Sequence, residues 1–182
     1  MERLLGTNLT KYTTPSDFVV IDIETTGLDP NTCEIIEFAA IKVANHQIVD
    51  TYSELIKPSI PISSTITDLT GISNDMVKDK RSISEAAIDI HTFIGDSILL
   101  GHNVLFDIRF IYDNLLRELG IIFNNNYVDT MWLARYKLKK NIPNAKLGTL
   151  SKYLDCPFNG MHHRALADTD VTYHIYEKLI NL

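Results

Sequence analysis

Two carboxylates interrupt an otherwise apolar run, Phe18-Val19-Val20-Ile21-Asp22-Ile23-Glu24-Thr25-Thr26-Gly27. Its β-branched residues read as a buried central strand ending in a glycine turn. Side chains alternate across a strand, so Asp22 and Glu24 share one face and Ile21 and Ile23 the other. Like charges side by side in an apolar strand are costly unless something positive neutralises them. Carboxylate oxygens suit a hard divalent cation such as Mg²⁺. They also suit a solvated strand end, and this stretch alone leaves both readings open.

Two further acids, Asp107 and Asp168, stand where helices begin, and His163 lies five residues before Asp168. On one helix that spacing turns about 140°, so the two can meet only if His163 precedes the helix. The polar run Asn159-Gly160-Met161-His162-His163 allows this. Asp170 points away from Asp168 on such a helix and reads as solvated. His102 and His162 read as local hydrogen-bonding residues.

Hydrophobic patterning predicts strands over residues 17–23, 34–43 and 48–56, joined by short turns as an antiparallel meander. Short strands follow at 97–101 and 127–128. Helices are predicted over 84–94, 104–119, 129–137, 147–154 and 165–182, with one helical turn at 66–71. In the 84–94 helix, Ala86, Ile88, Ile90, Phe93 and Ile94 form the apolar face. In the 104–119 helix, Leu105, Ile108, Ile111, Tyr112, Leu115 and Leu119 do, and Asp107 falls off that stripe. Leu166, Val171, Ile175 and Leu179 are the core contacts of the last helix. Strands first, then helices alternating with short strands, make an α/β fold with helices packed on a mixed sheet.

The chain has 182 residues, 45% hydrophobic and 22% charged, a composition that fits one globular domain at 17–182 after a polar leader at 1–16. No apolar run is long enough to cross a membrane, and the first residues lack a secretory signal. Cys33 and Cys156 show no metal-binding or redox spacing and read as reduced thiols of a cytoplasmic protein. A net charge of −6 argues against broad, non-specific nucleic-acid binding. It leaves room for a nucleic-acid enzyme, because carboxylates loaded with metal present a cation. Segment 135–146 carries Arg135, Lys137, Lys139, Lys140 and Lys146 without an acid. It reads equally as a rail for a phosphate backbone or as solvated lysines facing a helix C-terminus. Dinucleotide, P-loop and nucleophile-elbow motifs are absent.

Three stretches together resemble the DEDDh branch of the 3′–5′ exonuclease superfamily, which includes the proofreading epsilon subunit of bacterial DNA polymerase III. They are Asp-Ile-Glu-Thr-Thr-Gly-Leu at 22–28, His-Asn-Val-Leu-Phe-Asp at 102–107 and His-Arg-Ala-Leu-Ala-Asp at 163–168. The sister branch has tyrosine where Arg164 stands. The resemblance implies a ribonuclease-H-like, mixed five-stranded sheet flanked by helices. It implies two divalent ions, Mg²⁺ or Mn²⁺, held by Asp22, Glu24, Asp107 and Asp168, with Asp22 shared between them. His163 is then the general base, a role that histidine's ordinary pKa near neutrality suits. Thr25, Thr26, Gly27, Leu28, Asn103 and Phe106 would contact the terminal nucleotide. The implied reaction releases nucleoside 5′-monophosphates from the 3′ end of single-stranded DNA, in proofreading or end trimming. An exoribonuclease is the alternative, and a non-catalytic nucleic-acid binding module the reading of another class. Thr70 replaces a histidine that helps contact substrate in the epsilon subunit. No polymerase-binding tail or sliding-clamp peptide is recognisable, so only a transient polymerase partner is expected.

Overall fold

The computed structural model describes residues 3–158, 160 and 163–182. Five strands, β1 (Phe18–Thr25), β2 (Ile35–Ala44), β3 (Gln47–Leu55), β4 (Leu99–Gly101) and β5 (Tyr127–Asp129), form one sheet in the order β3-β2-β1-β4-β5. The first three are antiparallel, as their short turns require, whereas β4 and β5 run parallel to β1. The expected mixed five-stranded sheet is therefore observed. The helices are α1 (Ser64–Thr70), α2 (Asn74–Val77), α3 (Ile83–Ile94), α4 (Leu105–Leu119), α5 (Thr130–Leu138), α6 (Leu147–Tyr153) and α7 (Ala165–Ile180).

Alternation along β1 divides the interior into two layers. Val19, Ile21 and Ile23 pack with Ala86, Ile90 and Ile94 of α3 and Ile108, Phe110 and Ile111 of α4. Phe18 and Val20 face the other way, against Leu133 of α5, Leu150 of α6 and Val171, Ile175 and Leu179 of α7. Asp22 and Glu24 continue the Phe18–Val20 face, where α7 lies. The sheet thus delivers the paired carboxylates to the helix that carries Asp168.

Several expectations need correction. β1 runs to Thr25, two residues beyond the end predicted at residue 23. Ile88 is 60% exposed and Leu166 39% exposed, so neither is a core contact; in α3 the buried positions are Ala86, Ala87, Ile90 and Ile94. Asp107 belongs to the buried face of α4, with Phe110, Ile111 and Asn114. These positions follow helical i, i+3, i+4, i+7 spacing, which an apolar count misses because two of the four are polar. α2 had no strong sequence signal. The start of α3 had one: Ser82 and Glu85 make reciprocal capping-box bonds, Ser82 N donating to Glu85 Oε2 at 2.7 Å.

Within the first sixteen residues, Thr7 to Leu9 run beside β5. Leu9 N donates to Tyr127 O at 2.7 Å and Tyr127 N donates to Thr7 O at 3.0 Å. Tyr176 in α7 donates to Pro15 O at 2.8 Å.

Gly101 ends β4 where the chain turns into α4. A Cβ there would stand 2.6 Å from Val104 Cγ2 and 3.1 Å from Ile21 O. Val104 is fully buried and Ile21 O belongs to the central strand, so neither neighbour yields easily. Gly101→Ala is expected to cost about 1–3 kcal/mol, the usual range for overpacking. Urea denaturation should show a lower midpoint at unchanged slope; an unchanged midpoint would show that the turn relaxes freely.

Candidate active site

The β1–β4 ladder is formed at Val19↔Leu99 and Val20↔Leu100, while β1 runs on to Thr25. Beyond Val20 the strand therefore has an open edge on that side, at the carboxyl ends of β4 and β5. Such a crevice is the usual ligand position in sheets of this kind. Asp107 covers part of the edge: its Oδ1 accepts a hydrogen bond from Ile23 N at 3.1 Å. α4 packs on one face of the sheet and α7 on the other, so Asp107 and Asp168 approach β1 from opposite sides.

Asp22, Asp168 and His163 line a recess of about 1000 Å³, together with His102, Lys146 and Lys152. Glu24, His163 and Asp168 each present a ligand atom, and these atoms lie within 4.8 Å of one another. His163 sits before the first turn of α7, as its spacing from Asp168 demands, in a left-handed conformation with φ of 63°. That conformation is uncommon for a residue with a Cβ.

The electrostatics are those of crowded acids. Burial pushes Asp22 well above the usual carboxylate range, and the negative charges of Asp107, Asp168, Glu24 and Glu37 push it further. Glu24 is raised to about 8, mainly by burial, with Asp168 and Glu37 adding and Arg164 opposing. Asp107 is also raised well above its ordinary value by burial, although backbone N–H groups of Asp107 and Ile23 pull the other way. Carboxylates held in this state favour any ligand that brings positive charge. An all-oxygen carboxylate set with a histidine beside it fits Mg²⁺ or Mn²⁺ better than a thiol-preferring ion.

The sequence reading missed Glu37. It lies directly across from Glu24 in the β1–β2 ladder and is 2% exposed. Opposed like charges in a sheet repel, and here Arg164 intervenes. Arg164 Nη2 donates to Glu37 Oε1 at 2.7 Å, and Nε donates to Oε2 at 3.1 Å. Glu37 Oε2 also accepts from Ala165 N at 2.9 Å, satisfying a free N–H at the start of α7. One carboxylate on β2 therefore fixes the helix entry between His163 and Asp168. A lone glutamate within the otherwise apolar run 35–41 was the available signal.

The residues expected around the terminal nucleotide divide. Leu28, Asn103 and Phe106 share a separate recess of about 390 Å³ with Arg109. Leu28 is 84% exposed, and Phe106 packs on Phe110 with ring centres 5.0 Å apart. Thr25 is buried and donates to Gly27 O, while Thr26 Oγ1 accepts from Glu34 N at 2.9 Å. Both threonine hydroxyls are thus engaged in shaping the turn. A Cβ on Gly27 would lie 2.6 Å from Cys33 Sγ, so the turn requires glycine for this contact.

The remaining sequence expectations can be placed as well. His102 Nδ1 lies 2.9 Å from Thr130 Oγ1 and burial lowers its pKa to about 4, so it is a neutral local partner as expected. Asp170 is close to His174, 3.6 Å away. Thr70 turns inward: it donates to Ile66 O at 2.9 Å and accepts from Ile72 N at 3.1 Å. His162 lies outside the described residues. Of the basic segment, Lys146 reaches the acidic recess, while Lys137 donates to Ile180 O at 3.4 Å and does not.

Glu37→Gln removes the charge that Arg164 answers while keeping the side chain's shape. It is expected to cost about 1–3 kcal/mol, because an ion pair on an almost wholly buried carboxylate gives way to a weaker neutral hydrogen bond. Chemical denaturation should show the loss, and the double variant Glu37→Gln/Arg164→Met should recover part of it; no recovery would mean that the pair is not the unit at work.

The sequence matches the RNase_T exonuclease family over residues 19–176. It is 41% identical over 166 residues to the PolC-type DNA polymerase III of Thermotoga maritima, covering 91% of this chain and 12% of the polymerase. The corresponding Bacillus subtilis polymerase is 38% identical, with 90% of this chain and 11% of the polymerase covered. The chain thus spans about an eighth of the length of these relatives. Among solved structures, exonuclease X in complex with 5′-overhanging duplex DNA superposes with a TM-score of 0.73 at 28% identity, covering 90% of this chain and 91% of that one. E. coli exonuclease I in complex with a dT13 oligonucleotide gives a TM-score of 0.76 at 22% identity, with 92% of this chain and 41% of that one covered, and shares the fold. Motif order, acidic centre and likeness over nearly the whole chain agree: the protein is an exonuclease domain of the RNase_T family.

Proposed function

We propose that this domain hydrolyses the terminal phosphodiester bond at the 3′ end of single-stranded DNA and releases nucleoside 5′-monophosphates. The observation that carries the reading is the meeting of Asp22, Glu24, Asp107, Asp168 and His163 at the open edge of β1. Asp22, Glu24, Asp107 and Asp168 would hold two divalent ions, which would supply an acidified water and neutralise charge on the reacting phosphate. His163, placed beside Glu24 and Asp168, takes the proton from the attacking water. Its role differs from that of the carboxylates because it can return the proton to solvent between turnovers.

The recess lined by Leu28, Asn103 and Phe106 suits the terminal nucleoside. Phe106 and Leu28 offer an apolar surface to the base, and Asn103 adds a polar side chain near the sugar. Lys146 and Lys152 bring positive charge to the wall of the acidic recess, where the phosphate backbone would pass. DNA is favoured over RNA because the curated relatives named above are DNA polymerases and exonuclease X is seen with DNA. The same relatives support a reading in which the domain works in the cytoplasm in transient association with a replicative polymerase.

The test is digestion of matched, 5′-labelled DNA and RNA single strands with Mg²⁺ or Mn²⁺. A ladder shortening from the 3′ end of DNA supports the proposal, and faster loss of RNA transfers it to the exoribonuclease reading. Asp22→Ala should leave no measurable turnover. His163→Ala should slow DNA digestion by roughly 10²–10⁴-fold, the usual worth of general base catalysis, with Mn²⁺ affinity largely retained. A collapse of Mn²⁺ affinity in the second variant would make His163 a ligand.

A further inference from the structure

A second recess, of about 480 Å³, lies outside the acidic centre. It is lined by Thr10, Lys11, Tyr12, Trp132, Arg135 and Tyr136 among others. Tyr12 is 81%, Trp132 50% and Tyr136 63% exposed. The arrangement follows from helix α5, whose buried side takes Leu133, Ala134 and Leu138. Trp132, Arg135 and Tyr136 stand at i, i+3 and i+4 on its outer side and are neighbours there. The Arg135 guanidinium lies 5.9 Å from the centre of the Trp132 ring. Tyr12 comes from the N-terminal segment, which is held firmly. Thr10 N and Oγ1 both donate to Asn8 Oδ1, at 3.0 and 2.6 Å, and Tyr12 N donates to Leu9 O at 2.8 Å.

This recess is linked to the acidic one through packed residues, although the two share no lining residue. α5 begins at the carboxyl end of β5, on the sheet edge that carries the acids. Asp129 Oδ1 accepts from Asn103 N at 3.2 Å and from Met131 N at 2.9 Å. Asp129 N in turn donates to Thr10 Oγ1 at 2.9 Å. Thr130 touches His102, which lines the acidic recess with Lys146 and Lys152. Trp132 is therefore two residues from Thr130, the hydrogen-bonding partner of a residue that lines the acidic recess.

The chemistry of the lining narrows the occupant. It holds two cations and no carboxylate, in a chain whose net charge is −6. Exposed rings interleaved with cations are how single-strand binders hold bases and phosphates without reading sequence.

We propose that this recess is a second binding site for single-stranded nucleic acid, engaging nucleotides upstream of the 3′ end. Bases stack on Trp132, Tyr136 and Tyr12, and Lys11 and Arg135 meet the intervening phosphates. The proposal rests on the exonuclease reading of the acidic centre for its direction, and predicts that strands long enough to reach both recesses bind more tightly than short ones.

Trp132 is the chain's only tryptophan, so its emission reports on this recess directly. The full chain is titrated in EDTA with oligo(dT) of about 12 nucleotides, a length within the range such sites accept, and with a thymidine dinucleotide. The longer strand should quench Trp132 and bind at least tenfold more tightly than the dinucleotide, an advantage that shrinks roughly tenfold in Tyr12→Ala/Tyr136→Ala, consistent with loss of base stacking. Lys11→Ala and Arg135→Ala should each reduce the salt dependence of binding by about one phosphate contact. Unchanged Trp132 emission at saturation, with binding followed by fluorescence anisotropy of a labelled strand, would overturn the proposal and leave the recess to a protein partner. So would full retention of the length advantage in the double variant, once its circular dichroism melt shows it folded. Dinucleotide hydrolysis in Mn²⁺ is measured alongside: its presence without quenching removes only the second site, and quenching without any hydrolysis removes only the exonuclease reading.

Discussion

The structure turns on an electrostatic cost concentrated at the end of one strand. Asp22 and Glu24 project from the same face of β1, Asp107 and Asp168 reach them from two helices, and Glu37 adds a fifth carboxylate from β2. Separately each would be an ordinary acid. Partly or wholly removed from water and set against their acidic neighbours, Asp22, Glu24 and Asp107 have their proton affinity raised. A fold that keeps such a cluster holds back affinity for positive charge. Arg164 relieves part of the crowding, and because it does so through Glu37 it also fixes where α7 starts. The same pair therefore moderates the field and sets the approach of His163 and Asp168.

Topology makes this concentration possible. The antiparallel half of the sheet holds β1 firmly against β2, whereas the parallel half pairs with it only near its beginning. The carboxyl-terminal half of β1 is thus supported on one side and open on the other. The helix that follows β4 begins at this edge, and its first turn lines the space in front of it. Gly101 lets β4 turn sharply into α4, which brings Asn103, Phe106 and Asp107 to the opening. The proposed metal-holding carboxylates are then carried on packed strands and helices, as a site with tight positional demands requires.

Much of this could be read from the residues. Acids within an apolar strand were visible because they violate its pattern, and His163 was placed before α7 because a helix could not bring it to Asp168. The meander and most helices followed from periodicity. What could not be read depended on distant pairing. Asp107 seemed to lie off the apolar stripe of α4, yet a polar residue facing the core is indistinguishable from a solvated one until its partner, Ile23 N, is known. Glu37 was passed over for a similar reason: its partners Arg164 and Ala165 are more than a hundred residues away along the chain. Ile88 and Leu166 were assigned to the core by type alone, and both face outward. The aromatic recess joins two segments that nothing in the local sequence connects.

Burial and mutual repulsion raise the proton affinity of Asp22, Glu24 and Asp107, and a bound metal ion would displace those protons. Calorimetric titration with Mn²⁺ in buffers of different ionisation enthalpy measures those protons directly. The account predicts net proton release near pH 6.5, where Glu24, with its pKa of about 8, is still protonated, and smaller release near pH 9. Mn²⁺ binding without proton release at either pH would contradict it.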